Sequence, residues 1–166
     1  TVLTKASTTA DALAGTSKLA TVNLTGVSGA TAIKSDAVAT VSAVDTTDIA
    51  AVQHAIRAET KMLWIEPTGN PLLSVTDIAG CAEIAKAAGV LLVADNTLAT
   101  PVLCRPLEMG ADIVMHSATK FIGGHSDLLG GVLVARDLEV GEKLHWMQNA
   151  TGAVMGPLES FLCCRY

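Results

Sequence analysis

The chain has 166 residues and a formal net charge of −5, with 50% hydrophobic and 16% charged residues. This length and this apolar fraction suffice for one well-buried globular domain. Clusters of basic residues interleaved with aromatic residues do not occur in the sequence, which argues against a nucleic acid or an anionic membrane surface as the main partner.

The first predicted elements are a helix and a short strand. Thr47 or Asp48 can cap the helix, and the apolar residues that follow recur at helical spacing. These apolar residues are Ile49, Val52 and Ile56. The apolar run over residues 62–65 then predicts a short buried strand.

The next predicted elements form a βαβ unit. Thr76 or Asp77 can cap a second helix, and Gly89 ends it just before a strand over residues 90–94. One face of this helix is apolar and consists of Ile78, Cys81, Ala82 and Ala85. A helix between two buried strands is the usual connection between parallel strands.

The remaining elements continue this alternation. A turn or short helix over residues 106–110 leads into a strand over 113–115, and a strand over 131–135 precedes a helix over 138–149. Strands that are apolar throughout and linked by helices indicate the α/β class. The sequence therefore predicts a mainly parallel sheet with helices on both faces.

The most informative segment is His-Ser-Ala-Thr-Lys-Phe-Ile-Gly-Gly-His-Ser-Asp at residues 116–127. It places Lys120 between the hydroxyls of Ser117 and Thr119 and a glycine-rich turn. A lysine amine can hold an aldehyde cofactor as an imine while nearby hydroxyls bind its phosphate, as pyridoxal phosphate catalysis requires. A lysine among serines and glycines is also common in solvated loops, so this segment alone leaves both interpretations open.

Asp95 adds a second feature at the end of the apolar run over residues 90–94. Open α/β sheets place functional groups at the carboxyl ends of their strands. A carboxylate there can pair with the pyridine nitrogen of the cofactor and keep it protonated, which stabilises a substrate carbanion. The alternative for Asp95 is a helix cap or turn residue, because Asn96 and Thr97 follow it.

Several sequence blocks, taken together and in this order, resemble the Cys/Met-metabolism pyridoxal-phosphate enzymes. That family includes cystathionine γ-lyase, cystathionine γ-synthase, cystathionine β-lyase and methionine γ-lyase. The blocks are Val-Asp-Thr-Thr-Asp at 44–48, Lys-Met-Leu-Trp-Ile-Glu at 61–66, Asn-Pro at 70–71, Val-Ala-Asp-Asn-Thr at 93–97, Arg-Pro-Leu-Glu-Met-Gly-Ala-Asp at 105–112, Ser-Ala-Thr-Lys at 117–120 and Gly-His-Ser-Asp at 124–127. Residues 148–154 and 161–165 are most similar to the γ-lyase branch.

The resemblance implies a cofactor site, residue by residue. Lys120 would form the internal aldimine and act as the catalytic residue, and Asp95 would face the ring nitrogen. Asn70 would hydrogen-bond the phenolic oxygen, or serve only as a turn residue before Pro71. Thr97 would lie near the ring with its hydroxyl, or cap its own turn. The residues so assigned to pyridoxal 5′-phosphate are Lys120, Asp95, Ser117, Thr119, Asn70 and Thr97.

The resemblance further implies the large domain of the fold type I, aspartate aminotransferase-like enzymes. The activity implied is that of a lyase of transsulfuration, similar to cystathionine γ-lyase. The alternatives are a cystathionine γ-synthase, a methionine γ-lyase, and a non-catalytic homologous domain. The chain is expected to be part of the large domain, with residues 44–166 as the clear match, residues 1–43 as a weak match, and no C-terminal domain.

The weak match concerns specific positions before residue 44. Residues 27–31 would occupy the place of a Val-Tyr-Gly-Gly-Thr block, with Ser28 where a tyrosine stacks on the cofactor and Ile33 where an arginine stands. Residues 6–9 would replace a turn whose backbone amides bind the phosphate. These three departures fall on residues that surround the cofactor in the family.

The expected partners are a small amino-acid substrate and, by the resemblance, identical subunits in a homotetramer. No apolar run of about 18 residues and no signal-peptide pattern occur, so a cytoplasmic location is expected.

The cysteines lack metal-ligand and disulfide spacing and are expected to be reduced. Histidines 116, 125 and 145 also lack ligand spacing and are interpreted as surface or core residues, without a metal. The cysteines are Cys81, Cys104, Cys163 and Cys164.

Overall fold

A computed structural model describes residues 42–165 of the chain. The chain divides after Val44, and the architecture below is that of the unit Asp45–Tyr166. The departures expected at residues 6–9, Ser28 and Ile33 lie outside the described residues. The division into weak and clear family matches therefore stays a prediction.

The centre of the described unit is a mixed sheet with the strand order β1-β2-β3-β4. The first three strands are parallel, and β4 runs antiparallel to β3. The α/β class with a mainly parallel sheet is thereby confirmed. The strands are β1 (Met62–Ile65), β2 (Leu91–Asp95), β3 (Ile113–Ser117) and β4 (Gly131–Ala135).

Helices connect the strands and pack against them. α2 contacts β2, α1 contacts α2, and α4 contacts β4. None of the helices within residues 42–165 is both long and apolar enough to cross a membrane. The helices are α1 (Ile49–Ala55), α2 (Ile78–Ala88), α3 (Thr100–Leu103), α4 (Leu138–Thr151) and α5 (Pro157–Cys163), and a π-helical turn spans Ala118–Ile122.

The βαβ unit β1-α2-β2 forms for the reasons that its sequence indicates. Asp77, not Thr76, caps α2, because its Oδ1 accepts a hydrogen bond of 3.0 Å from the backbone N–H of Gly80. Gly89 ends the helix in the left-handed region at φ 65°, where glycine has no steric penalty. The buried face is Ile78, Cys81 and Ala85, and the predicted fourth member Ala82 is only half-buried.

The predicted bounds of two strands, β2 and β3, differ from the structure. The strand predicted at 90–94 begins one residue later, because the N–H of Val90 donates to the carbonyl of Ala85 at the helix end. β3 continues to Ser117, because the antiparallel strand β4 pairs with it as far as Gly131. β3 therefore ends next to the turn that carries Lys120.

The other predicted elements agree more closely with the structure. β1 and β4 have the predicted bounds. α4 extends to Thr151 and ends at Gly152, which is left-handed at φ 71°. α1 is capped by Asp48 and ends before Ile56, which is extended. The short helices α3 and α5 were not predicted.

Candidate active site

The carboxyl ends of the parallel strands bring the predicted site residues to one edge of the sheet. Asp95 is the last residue of β2, and Ser117 is the last residue of β3. The first residue of β4, Gly131, pairs with Ser117 at the same edge. Groups at this edge of an open α/β sheet face the position where such sheets bind ligands.

Thr97 connects the ends of β2 and β3. Its hydroxyl donates to Asp95 Oδ1 over 2.6 Å and accepts a hydrogen bond of 2.8 Å from the backbone N–H of Ser117. The N–H of Thr97 also donates to Asp95 Oδ1 over 3.1 Å. Asp95 thus stands in a turn that its own carboxylate stabilises, while its Oδ2 has no hydrogen bond within the part of the chain that the structure describes.

The lysine turn follows β3 without a break. Lys120 interrupts the helical geometry of this turn with φ −95° and ψ −123°. The turn is closed by backbone bonds of 2.8 Å from Gly123 N–H to the Ala118 carbonyl and from Gly124 N–H to the Lys120 carbonyl. The side chain of Lys120 is exposed and makes no hydrogen bond to the other described residues. Its amine is therefore available to a ligand.

The two predicted phosphate ligands differ in their surroundings. Ser117 is half-buried, and its hydroxyl has no hydrogen bond among residues 42–165. The hydroxyl of Thr119 accepts from the N–H of Gly130 over 3.0 Å and lies 3.3 Å from the Gly130 carbonyl. Ser117 can bind an anion directly, whereas Thr119 must turn its hydrogen away from Gly130 to do so.

Asn70 lies in the loop that follows β1. The peptide bond to Pro71 is cis, and the N–H of Asn70 donates to Glu66 Oε2 over 3.4 Å. The loop is closed by a bond of 2.8 Å from Gly69 N–H to the Ser74 carbonyl. Asn70 is exposed there and is not joined to the Asp95, Thr97 and Ser117 network by any described contact.

His116 and Asn96 lie buried beside this network, and their role was not predicted from the sequence. The side-chain amide of Asn96 donates to the Cys104 carbonyl over 2.8 Å, and its Oδ1 has no partner within the described chain. His116 Nδ1 is likewise without a partner there. Burial lowers the pKa of His116, and this lowering is opposed by a hydrogen bond to the Asn96 backbone and by the charge of Asp95. The only sequence signal was adjacency to Asp95 and Ser117.

The donor set at this edge fits pyridoxal phosphate. It contains an amine without a partner on Lys120, a carboxylate oxygen without a partner on Asp95 and a hydroxyl without a partner on Ser117, all within the described residues. Such a set can hold an aldehyde, a ring nitrogen and a phosphate, respectively. Residues 42–165 contain no group of three or more His, Cys, Asp or Glu side chains that could hold a metal ion.

A parallel sheet with these groups at its carboxyl edge defines the class of fold type I pyridoxal-phosphate proteins. Structures with the same fold include that of cystathionine gamma-lyase from Lactobacillus plantarum complexed with L-serine, with a TM-score of 0.72 and 48% identity over 73% of this chain and 32% of that one. The chain belongs to the Cys/Met metabolism PLP-dependent enzyme family, whose model matches residues 20–165.

Two curated relatives illustrate the range of activities in the family. Cystathionine gamma-lyase of Bacillus subtilis (strain 168) is 54% identical over 122 residues, which are 74% of this chain and 32% of the relative. Cystathionine beta-lyase of Coxiella burnetii is 52% identical over 125 residues, which are 75% of this chain and 32% of the relative. The chain thus spans about a third of the length of the relatives that it matches.

Proposed function

We propose that the intact protein is a pyridoxal-phosphate-dependent carbon–sulfur lyase of transsulfuration, similar to cystathionine gamma-lyase. One observation carries the proposal. Lys120 follows β3 with an exposed amine, at the sheet edge where Asp95 ends β2. The likeness to cystathionine gamma-lyase of Bacillus subtilis supports the choice of activity.

Lys120 is proposed to hold the cofactor and to act as the catalytic base. Bound pyridoxal phosphate supplies an aldehyde that condenses with amines and a ring that withdraws electrons from substrate carbons. Lys120 would hold that aldehyde through its amine, from which the amino group of the substrate would displace it. The freed amine of Lys120 would then act as the base that moves a proton between the α- and β-carbons of the substrate.

Asp95, Ser117 and Thr119 are proposed to orient the cofactor. The Oδ2 of Asp95 would accept a hydrogen bond from the ring nitrogen, and the two bonds from Thr97 to Oδ1 hold the carboxylate in place for this. The hydroxyls of Ser117 and Thr119 donate to the phosphate. Asn70 is proposed to donate to the phenolic oxygen, which requires the loop after β1 to bring its side chain inward.

The substrate is proposed to be a small sulfur-containing amino acid. The assembly is proposed to be a cytoplasmic homotetramer, and neither nucleic acid nor membrane is proposed as a partner. Large apolar side chains on α4 and α5, including Trp146, Leu158 and Phe161, are exposed in the described unit, which supports association. The cysteines Cys81, Cys104, Cys163 and Cys164 are free in the described part of the chain, which suits a reducing compartment.

Product analysis tests the proposed activity. The intact protein is incubated with pyridoxal phosphate and cystathionine, and the products are identified by mass spectrometry. Cysteine with 2-oxobutyrate establishes cleavage at the γ-carbon, whereas homocysteine with pyruvate establishes β-cleavage and overturns the γ-lyase proposal. Turnover of O-acylhomoserine or methionine instead identifies the γ-synthase or methionine γ-lyase alternative.

The second candidate is a non-catalytic homologous domain. The engagement of the Thr119 hydroxyl by the Gly130 backbone favours it, because one of the two predicted phosphate ligands is already hydrogen-bonded. Cofactor bound at Lys120 with no turnover of cystathionine, O-acylhomoserine or methionine would establish this candidate.

A further inference from the structure

An ion pair joins the loop after the Lys120 turn to the end of α5. One guanidinium nitrogen of Arg165, Nη2, lies 2.9 Å from Asp127 Oδ1 and 2.8 Å from Oδ2. The side chains retain 26% and 38% of their accessible surface, so solvent screens this pair only in part. The Nε of Arg165 also donates to the Leu162 carbonyl over 3.0 Å, which fixes the guanidinium against the end of α5.

The loop over residues 123–130 has an unfavourable backbone conformation, which the ion pair can hold in place. Gly124 and Ser126 both have positive φ, at 73° and 57°, and serine rarely adopts that region. The loop begins at Gly123, which closes the lysine turn, and returns at Gly130, whose N–H and carbonyl hold Thr119. A shift of this loop therefore displaces both the backbone bonds that close the lysine turn and the Gly130 groups that hold Thr119.

Packing transmits the position of Asp127 to the lysine turn. Leu128 follows Asp127, is buried, and lies so close to Gly123 that a Cβ there would meet Leu128 Cδ2 at 3.0 Å. At the other end of the loop, Met155 fills the space beside Gly130. The segment after α4 thus contacts the loop through Met155 at Gly130 and through Arg165 at Asp127.

We propose that Asp127 and Arg165 are positioning residues that fix the loop over 123–130 and thereby hold Lys120 and the Thr119 hydroxyl in place for the cofactor. Neither residue is assigned a contact with cofactor or substrate. The consequence for the cofactor rests on the proposed function, whereas the consequence for the loop does not.

Hydrogen exchange in the intact protein without added cofactor tests the effect on the loop. The variants are D127N, R165M and the double variant, and the control variants E139Q and K143M break the exposed Glu139–Lys143 pair on α4. We expect the amides of residues 118–130 to exchange about tenfold faster in either single variant than in the unaltered protein. Exchange in the double variant should be no faster than in the single variants, because both changes remove the same interaction. Amides of α2 should be unchanged.

Titration with pyridoxal phosphate tests the effect on the cofactor. We expect the dissociation constant, measured from the visible absorption band, to rise about tenfold in D127N and R165M and to stay unchanged in E139Q and K143M. Arg165→Lys, which keeps the charge, should restore part of the affinity. Absence of cofactor binding at Lys120 in the unaltered protein would overturn the proposed function, while the exchange measurement would still decide on the loop.

Three results would overturn the positioning proposal. Exchange of residues 118–130 could be unchanged in both single variants, the two effects could add in the double variant, or the control variants could accelerate exchange equally. Should R165M unfold as a whole, D127N, in which asparagine keeps the size of the side chain, is compared with the control variants alone. Unchanged exchange of residues 118–130 in D127N, or equal acceleration in the control variants, would then overturn the proposal.

Discussion

Thr97 is the residue whose role depends most on the tertiary structure. The sequence alone allows two roles for its hydroxyl, a position near the cofactor ring or a cap of its own turn. In the structure the hydroxyl gives its hydrogen to Asp95 and accepts from Ser117, which lies twenty positions further along the chain. Asp95, Ser117 and Lys120 could be selected from the sequence because their chemistry is specific, but a contact between two strand ends requires the sheet to be known.

Thr97→Val should therefore destabilise the protein and weaken cofactor binding. The change removes the acceptor of the half-buried Ser117 N–H and one donor to Asp95, so we expect a loss of about 1–3 kcal/mol in the free energy of unfolding. Thr97→Ser is the matched control, because it keeps the hydroxyl. Urea unfolding measures the difference, and equal stability of the two variants would contradict the proposed role.

His116 should make the stability of the protein sensitive to mild acid. Burial lowers its pKa below the ordinary value of 6.5. As the pH falls through that value, the unfolded chain takes up a proton that the folded protein does not, so stability decreases until the pH passes below the folded pKa. His116→Gln should lose less stability between neutral and acidic pH. Urea unfolding at several pH values measures the difference. If the free energy of unfolding falls equally with pH in both proteins, His116 does not contribute.

At the scale of elements, a helix or strand with strong signals in its own sequence could be predicted. A feature that depends on tertiary contacts could not. α2 has a cap, an apolar face and a terminal glycine within its own sequence, and all three are present in the structure, with Ala82 of that face only half-buried. α3, with four residues, is too short to show helical periodicity, and α5 has no side-chain cap at its start. The antiparallel direction of β4 was also not predicted, because it depends on the loop over residues 123–130.

Asp77→Ala should destabilise the protein through α2. It removes the side-chain acceptor of the Gly80 N–H at the helix start, and such a loss costs about 1 kcal/mol in the free energy of unfolding. Asp77→Ser keeps an acceptor and should retain most of the stability. Thermal or urea unfolding measures the change. An alanine variant as stable as the serine variant would show that this cap does not contribute.

At the scale of the whole molecule, the sequence sufficed for the α/β class and for the sheet edge at which Asp95 and Ser117 lie. Parallel strands place their carboxyl ends together, so Asp95 and Ser117 could be expected near one another. The position of the Asn70 loop could not be predicted, because irregular backbone has no periodic signal. The side chain of Asn70 makes no described contact with the network that contains Asp95.

The exposed apolar residues of α4 and α5 lead to a prediction about assembly. We expect the intact protein to sediment as a homotetramer at micromolar concentration, since large apolar side chains are usually covered by a partner. Sedimentation velocity gives the mass directly. A monomeric species at that concentration would contradict the proposed assembly without affecting the assignment of Lys120.

The most direct test of the central claim is to locate the lysine that holds the cofactor. The intact protein is mixed with pyridoxal phosphate, reduced with borohydride and digested, and the labelled peptide is identified by mass spectrometry. We predict a visible absorption band before reduction, the label on Lys120, and the loss of both in Lys120→Ala. A label on another lysine, or a band and full turnover that persist in Lys120→Ala, would contradict the account.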